Sequence, residues 1–142
     1  MIGTIAILVA RLIFAGAFLV AMIMKFAGME GTAAAIASIG LPFALFLAWV
    51  AAFFELGLVL AFLTGAFFAE AATLAVAYVL FLGFAFYGPA SWQGNLMQMG
   101  LFINHLTFIA GLLFAAVHGP GRTLTLAWGF PWPAIGLSAQ TK

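Results

Sequence analysis

Arg11, Lys25, Glu55, Glu70, Asn104, His105, His118 and Arg122 are the side chains of this sequence best able to do chemistry, and all stand within or at the ends of long apolar runs. An ionised group alone at the middle of a bilayer costs about 2.5–3.5 kcal/mol, so a charge in such a run has to find a partner or a task. Arg11 and Glu55 each lie roughly three residues from the middle of their runs, toward the same end of the bundle, which puts them at similar depth. They are expected to form a buried ion pair or a shared hydrogen-bond network, with Asn104 as a further member. Such a network either fixes the register of two helices or handles a ligand or a proton, and the residues alone leave both readings open.

Lys25 follows Arg11 by fourteen residues, close to a whole number of helical turns, so the two make a basic stripe with Phe14, Ala15, Phe18 and Met22 between them. At the end of its run Lys25 can extend its ammonium to the interface as an anchor, or it can bind an anionic headgroup or a quinone carbonyl.

In the last run Gly100, Asn104, Thr107, Gly111, Ala115 and His118 recur at helical spacing and are small or polar, the pattern that lets membrane helices approach closely. This stripe is expected to face the bundle centre, with Asn104 bonding across to another helix. His105 falls about 100 degrees away, on a face shared with Leu101, Ile109 and Leu112, where it is either a packing residue or a ligand contact. Glu70 and His118 both fall near the end that holds Arg122, and are candidates to pair there. The two histidines are thirteen residues apart on one helix, or ~20 Å, so they cannot hold one haem between them within a chain. The absence of cysteine excludes disulfides, thiolate nucleophiles, iron–sulfur clusters and zinc–thiolate sites, and no metal site is expected from the few ligands that remain.

The elements that must position these groups are helices in lipid. Of the residues, 68% are hydrophobic and 5% charged, a balance that cannot cover a water-facing surface. No basic cluster of the kind that neutralises phosphates is present, which argues against a nucleic-acid partner. A helix needs about 20 apolar residues to cross the hydrocarbon, and four stretches reach that length: residues 2–26, 41–63, 67–86 and 99–118. Turn residues separate them at Met29-Glu30-Gly31-Thr32, Gly40-Leu41-Pro42, Thr64-Gly65, Tyr87-Gly88-Pro89 and Gly119-Pro120-Gly121. Pro42 is placed in the first turn of the second span.

The expected fold is therefore an all-α membrane protein, an antiparallel bundle of four transmembrane helices over residues 1–122. A short interfacial helix or half-buried loop over 32–39 joins spans one and two, and residues 123–142 form an interfacial tail carrying Trp128, Phe130 and Trp132. The apolar run straight after Met1 lacks a basic leader and is read as a retained helix. Four crossings put both termini on one side, and Arg122 and Lys142 make that side the cytoplasmic one under the positive-inside rule. The expected location is an inner (cytoplasmic) membrane of the bacterial type.

In order and interval, these motifs resemble the DoxX family of small four-helix membrane proteins. The resemblance is carried by Arg11 and Lys25 in the first span, Gly40-Leu41-Pro42 before the second, Glu55 within Phe53-Phe54-Glu55-Leu56-Gly57, Asn104-His105-Leu106 in the fourth, and Gly119-Pro120-Gly121-Arg122 after it. Thr64-Gly65 lacks the basic residue usual after the second helix, and Thr123-Leu124-Thr125-Leu126 replaces the usual Ser or Asp after the terminal Arg. The resemblance implies a membrane subunit of a larger redox assembly, in some relatives quinone-linked, with the redox cofactors on other subunits and none bound by this chain alone. Arg11, Lys25, Glu55 and His105 are the candidate contacts for a quinone or lipid, and Glu70, His118 and Arg122 form the candidate interface at the end that holds the termini. Two other classes remain open: a purely structural assembly subunit, and a small-molecule transporter, against which the lack of an inverted repeat or a broken span counts. The chain is not expected to catalyse alone.

Overall fold

Runs of apolar residues punctuated by glycine and proline give helices joined by short turns among the described residues. The computed structural model describes residues 2–121 and 124–126. Over these the chain forms α1 (Ile2–Ala27), α2 (Met29–Ser38), α3 (Ala44–Thr64), α4 (Phe68–Tyr87), one 3-10 turn (Pro89–Ser91) and α5 (Leu96–His118). Among the described residues four helices are long and apolar enough to cross a membrane: Ile5–Ala27, Ala44–Thr64, Phe68–Ser91 and Leu96–His118.

Local chemistry sets the boundaries and corrects three of them. Pro42 lies before α3 rather than in its first turn; Phe43, with a left-handed φ of 54°, is the N-cap. The residue ahead of a proline is pushed out of the helical region, which delays the helix by a few residues. Helix α5 starts at Leu96, earlier than residue 99, because the Asn95 side chain caps it by accepting from the Gln98 amide at 3.3 Å. The Ala-rich segment after the first span is helical and longer than expected, beginning at Met29 directly after Gly28.

Gly65 closes α3 with φ of 75° and donates its amide to Ala61 O at 2.8 Å. A Cβ there would stand 2.9 Å from Thr125 Cγ2. The chain returns to this point after α5, where the Leu126 amide donates to Thr64 O at 2.9 Å. The rest of the expected interfacial tail, with Arg122, Lys142 and the tryptophans Trp128 and Trp132, lies outside the described residues.

The packing is that of a protein whose solvent is lipid. Ala48, Ala52, Ala72 and Ala75 are wholly buried, while Ile13, Val20, Met24, Phe46 and Phe114 point outward. Lipid tails are as apolar as these side chains, so burying them gains little, whereas small residues let backbones approach. Helix α1 packs chiefly on α3, α4 on α5, and α2 lies against α3. The two pairs meet in an aromatic core: Phe62 stacks on Phe18 with centroids 5.8 Å apart, and Phe68 meets Phe62 edge-on at 5.3 Å. Phe108 of α5 contacts Phe14 and Phe18 at 5.2 and 5.7 Å.

The small and polar stripe of α5 does not turn inward as a unit. Gly100, Asn104, Thr107 and His118 are exposed; Phe102, Ile109 and Leu112 are buried. Only Gly111 and Ala115 approach neighbours, and a Cβ on Gly111 would meet Phe14 Cζ at 3.1 Å. Close approach needs a small residue on one of two helices, and at the α4–α5 contact that residue is Gly83 on α4, so α5 presents its larger side chains there.

Candidate functional site

Arg11 is 2% exposed, and its guanidinium makes four hydrogen bonds to backbone carbonyls of the described residues. Nε donates to Phe62 O at 3.1 Å and Nη2 to Leu63 O at 2.8 Å and to Leu124 O at 3.1 Å, while Nη1 donates to Pro120 O at 3.2 Å. The last carbonyls of a helix lack intrahelical partners and carry the negative end of its dipole. Arg11 supplies donors in a fixed fork to that end of α3 and, with the same group, clasps the segment that follows α5.

The expected Arg11–Glu55 ion pair is therefore replaced by another. Glu55, 1% exposed, pairs with Lys25, whose Nζ donates to Oε1 at 2.7 Å. The Tyr78 hydroxyl donates to the same oxygen at 2.8 Å. Lys25 does not run to the interface as an anchor; its side chain is only 18% exposed and reaches Glu55 from the end of α1. The reason lies in length: Arg11 and Lys25 are separated by fourteen residues, about 21 Å along α1, so Glu55 cannot serve both. Helix α3 offers Arg11 its free carbonyls and Lys25 its carboxylate. The second carboxylate oxygen, Oε2, is buried with no hydrogen-bond partner among the described residues.

Asn104 is no member of this cluster. It stands on the outward face of α5, and no hydrogen bond of its side chain is present among the described residues. His105, one residue on, is half-buried against α4, with its Cβ 3.3 Å from where a Cβ on Gly83 would sit and its ring 5.0 Å from that of Tyr87. Its Nδ1 lies 2.8 Å from Leu101 O. His118 does not pair with Glu70; its Nδ1 bonds Phe114 O of its own helix at 2.9 Å. Glu70 is half-buried and lines a groove between α3 and α4. Arg122, the third member of that proposed interface, lies outside the described residues.

Lys25, Tyr78, Tyr87 and His105 converge on one cavity of about 900 Å³, whose remaining walls come from α1 to α4 and include Phe54 and Phe81. That volume is in the range of pockets that enclose small ligands, and the mixture of apolar wall with a few placed polar groups is their usual make-up. Among the candidate contacts named from the sequence, Lys25 and His105 line it; Glu55 stands directly behind through its bonds to Lys25 and Tyr78, and Arg11 belongs elsewhere. The two tyrosines were missed. The available signal was that the chain has only two, one within the third span and one at its end, where a buried hydroxyl needs a partner. Trp92 Nε1 donates to Tyr87 O at 2.8 Å, which ties the 3-10 turn to the end of α4.

The DoxX family model matches residues 6–88, more than half of the chain. This chain belongs to the DoxX family. The match takes in α1 to α4, and with them Arg11, Lys25, Glu55 and Tyr78 of this DoxX protein, and stops before α5. The likeness noted at Asn104-His105-Leu106 and Gly119-Pro120-Gly121-Arg122 falls outside it. No curated protein and no solved structure matches the chain.

Proposed function

We propose that this DoxX protein is a membrane subunit of a larger oxidoreductase assembly, that its cavity holds the head of a membrane quinone, and that the redox cofactors sit on its partners. The observation that carries the reading is the cavity of about 900 Å³ bordered by Lys25, Tyr78, Tyr87 and His105 inside an otherwise apolar bundle. The Lys25 ammonium, which keeps hydrogens beyond the one given to Glu55, and the Tyr87 hydroxyl are the donors a quinone carbonyl needs, and Phe54 and Phe81 offer flat apolar surface to its ring. The family resemblance supports the redox setting.

The proposal includes placement. Arg11 meeting Leu63 while Lys25 meets Glu55 supports antiparallel α1 and α3. With four crossings both termini then share a side, which the positive-inside rule makes cytoplasmic in an inner membrane of bacterial type. In this arrangement α2, with no buried residue, lies along the interface. Residues 1–122 act as one domain.

A second reading, an assembly subunit without a ligand, draws on Arg11, whose four bonds to backbone carbonyls tie the end of α3 to the segment after α5. Extraction in native lipid particles separates the two. The redox reading expects larger subunits carrying cofactors and an extractable quinone to copurify. It fails if the chain emerges with no cofactor-bearing partner and no quinone; partners without quinone would favour the assembly reading.

A further inference from the structure

We propose that the cavity selects an aromatic head bearing a hydroxyl, a quinol or other long-chain phenol, over the matching dione or ether, and that His105 Nε2 is the atom that accepts the hydroxyl hydrogen. The inference rests on the reading of the cavity as an amphiphile site and adds which chemical form it prefers. His105 Nδ1 lies 2.8 Å from Leu101 O. A carbonyl oxygen has no hydrogen to give, so Nδ1 carries one and the tautomer is fixed. In the neutral ring that leaves Nε2 as a bare acceptor, and no hydrogen bond to it is present among the described residues. The ring cannot easily turn away: it is seated over Gly83 and against Tyr87 at 5.0 Å.

The opposite polar wall has a different character. Lys25 gives one hydrogen to Glu55 Oε1 and has two more, and the Tyr78 hydroxyl already donates to the same oxygen. A dione presents acceptors only; it would use Lys25 and the Tyr87 hydroxyl but leave His105 unanswered. A hydroxylated ring answers both walls. Leaving a buried acceptor without its hydrogen costs enough to change affinity about tenfold.

The test uses the full chain in lipid nanodiscs, with empty nanodiscs as control for partitioning, and three probes that need no redox partner: 4-nonylphenol, 4-nonylanisole and 2-decyl-1,4-benzoquinone. The phenol should bind about tenfold tighter than its methyl ether or the dione. That advantage should vanish in His105→Phe and survive in His105→Gln, whose amide oxygen can still accept. In wild-type protein labelled with nitrogen-15 histidine, the phenol but not the anisole should shift the Nε2 resonance of His105 and leave His118 unmoved; this holds even if His105→Phe fails to fold. Equal binding of the three probes overturns the selection while leaving the cavity reading intact. A phenol advantage that persists in His105→Phe, or a silent Nε2, overturns the role of His105. If no probe binds, both the selection and the cavity reading fall, whatever partners copurify.

Discussion

The two basic residues of α1 share one face and meet opposite fates. Arg11 is surrounded by four backbone carbonyls and a core of stacked phenylalanines. Lys25, fourteen residues on, is held by one carboxylate at the edge of a cavity. Where four donors of one guanidinium are held by the chain's own carbonyls, little is left for a ligand. Where a lysine at a cavity wall keeps two hydrogens, and its carboxylate partner has one oxygen with no hydrogen bond among the described residues, the cluster is not closed on itself. A membrane charge points to function only once its partners are counted.

The sharpest way to break this comparison is at Arg11. Arg11→Met strips the donor from the carbonyls of Phe62, Leu63, Pro120 and Leu124 at once, and should destabilise by about 3–5 kcal/mol, the scale for removing one member of a buried charged network. Tryptophan fluorescence during thermal unfolding in detergent would show it as the largest loss of Tm in the set. Protein that survives should bind cavity ligands as wild type does; lost binding in folded Arg11→Met would erase the division between the two ends.

Next comes the pair itself. Lys25→Met and Glu55→Leu each strand a charge, whereas the double replacement strands none. The double should be more stable than either single variant, with a coupling of about 1–3 kcal/mol by double-mutant cycle. Additive losses would mean that Lys25 and Glu55 do not depend on each other.

How much of this was legible beforehand follows from range. The four spans, the short helix after the first and the common face of Arg11 and Lys25 are consequences of local periodicity, and the sequence shows them directly. The identity of Glu55's partner is not local: it depended on α3 beginning at Ala44 and on how far two long side chains reach along α1, matters decided by packing. The outward face of Asn104 was hidden for a related reason. Adjacent residues face different ways on a helix, and the choice between the faces was made by Gly83 on α4, which no pattern within α5 could disclose.

Gly83 supplies a smaller effect. Gly83→Ala would put a methyl 3.3 Å from His105 Cβ, tight enough to push α5 or the ring aside. Overpacking of this kind costs about 1–3 kcal/mol, and the phenol advantage should shrink with it. Tyr78→Phe removes one hydrogen bond to Glu55 and should cost about 0.5–1.5 kcal/mol, with the Lys25–Glu55 pair retained.

The smallest change is expected at Asn104, and its smallness is the point. An inward Asn104 bonding across the bundle would make Asn104→Leu costly, because the partner would be left unsatisfied. On the outward face of α5 the amide meets lipid, or a partner chain, and leucine suits lipid better. Within the isolated chain the replacement should change stability by less than about 0.5 kcal/mol in either direction. A larger loss in detergent would return Asn104 to the bundle interior and undo the orientation of α5 on which the role of His105 depends. An unchanged Tm joined to loss of copurifying subunits would instead place Asn104 at a contact with another chain, the one setting in which a polar group on a lipid-facing helix is better kept than replaced.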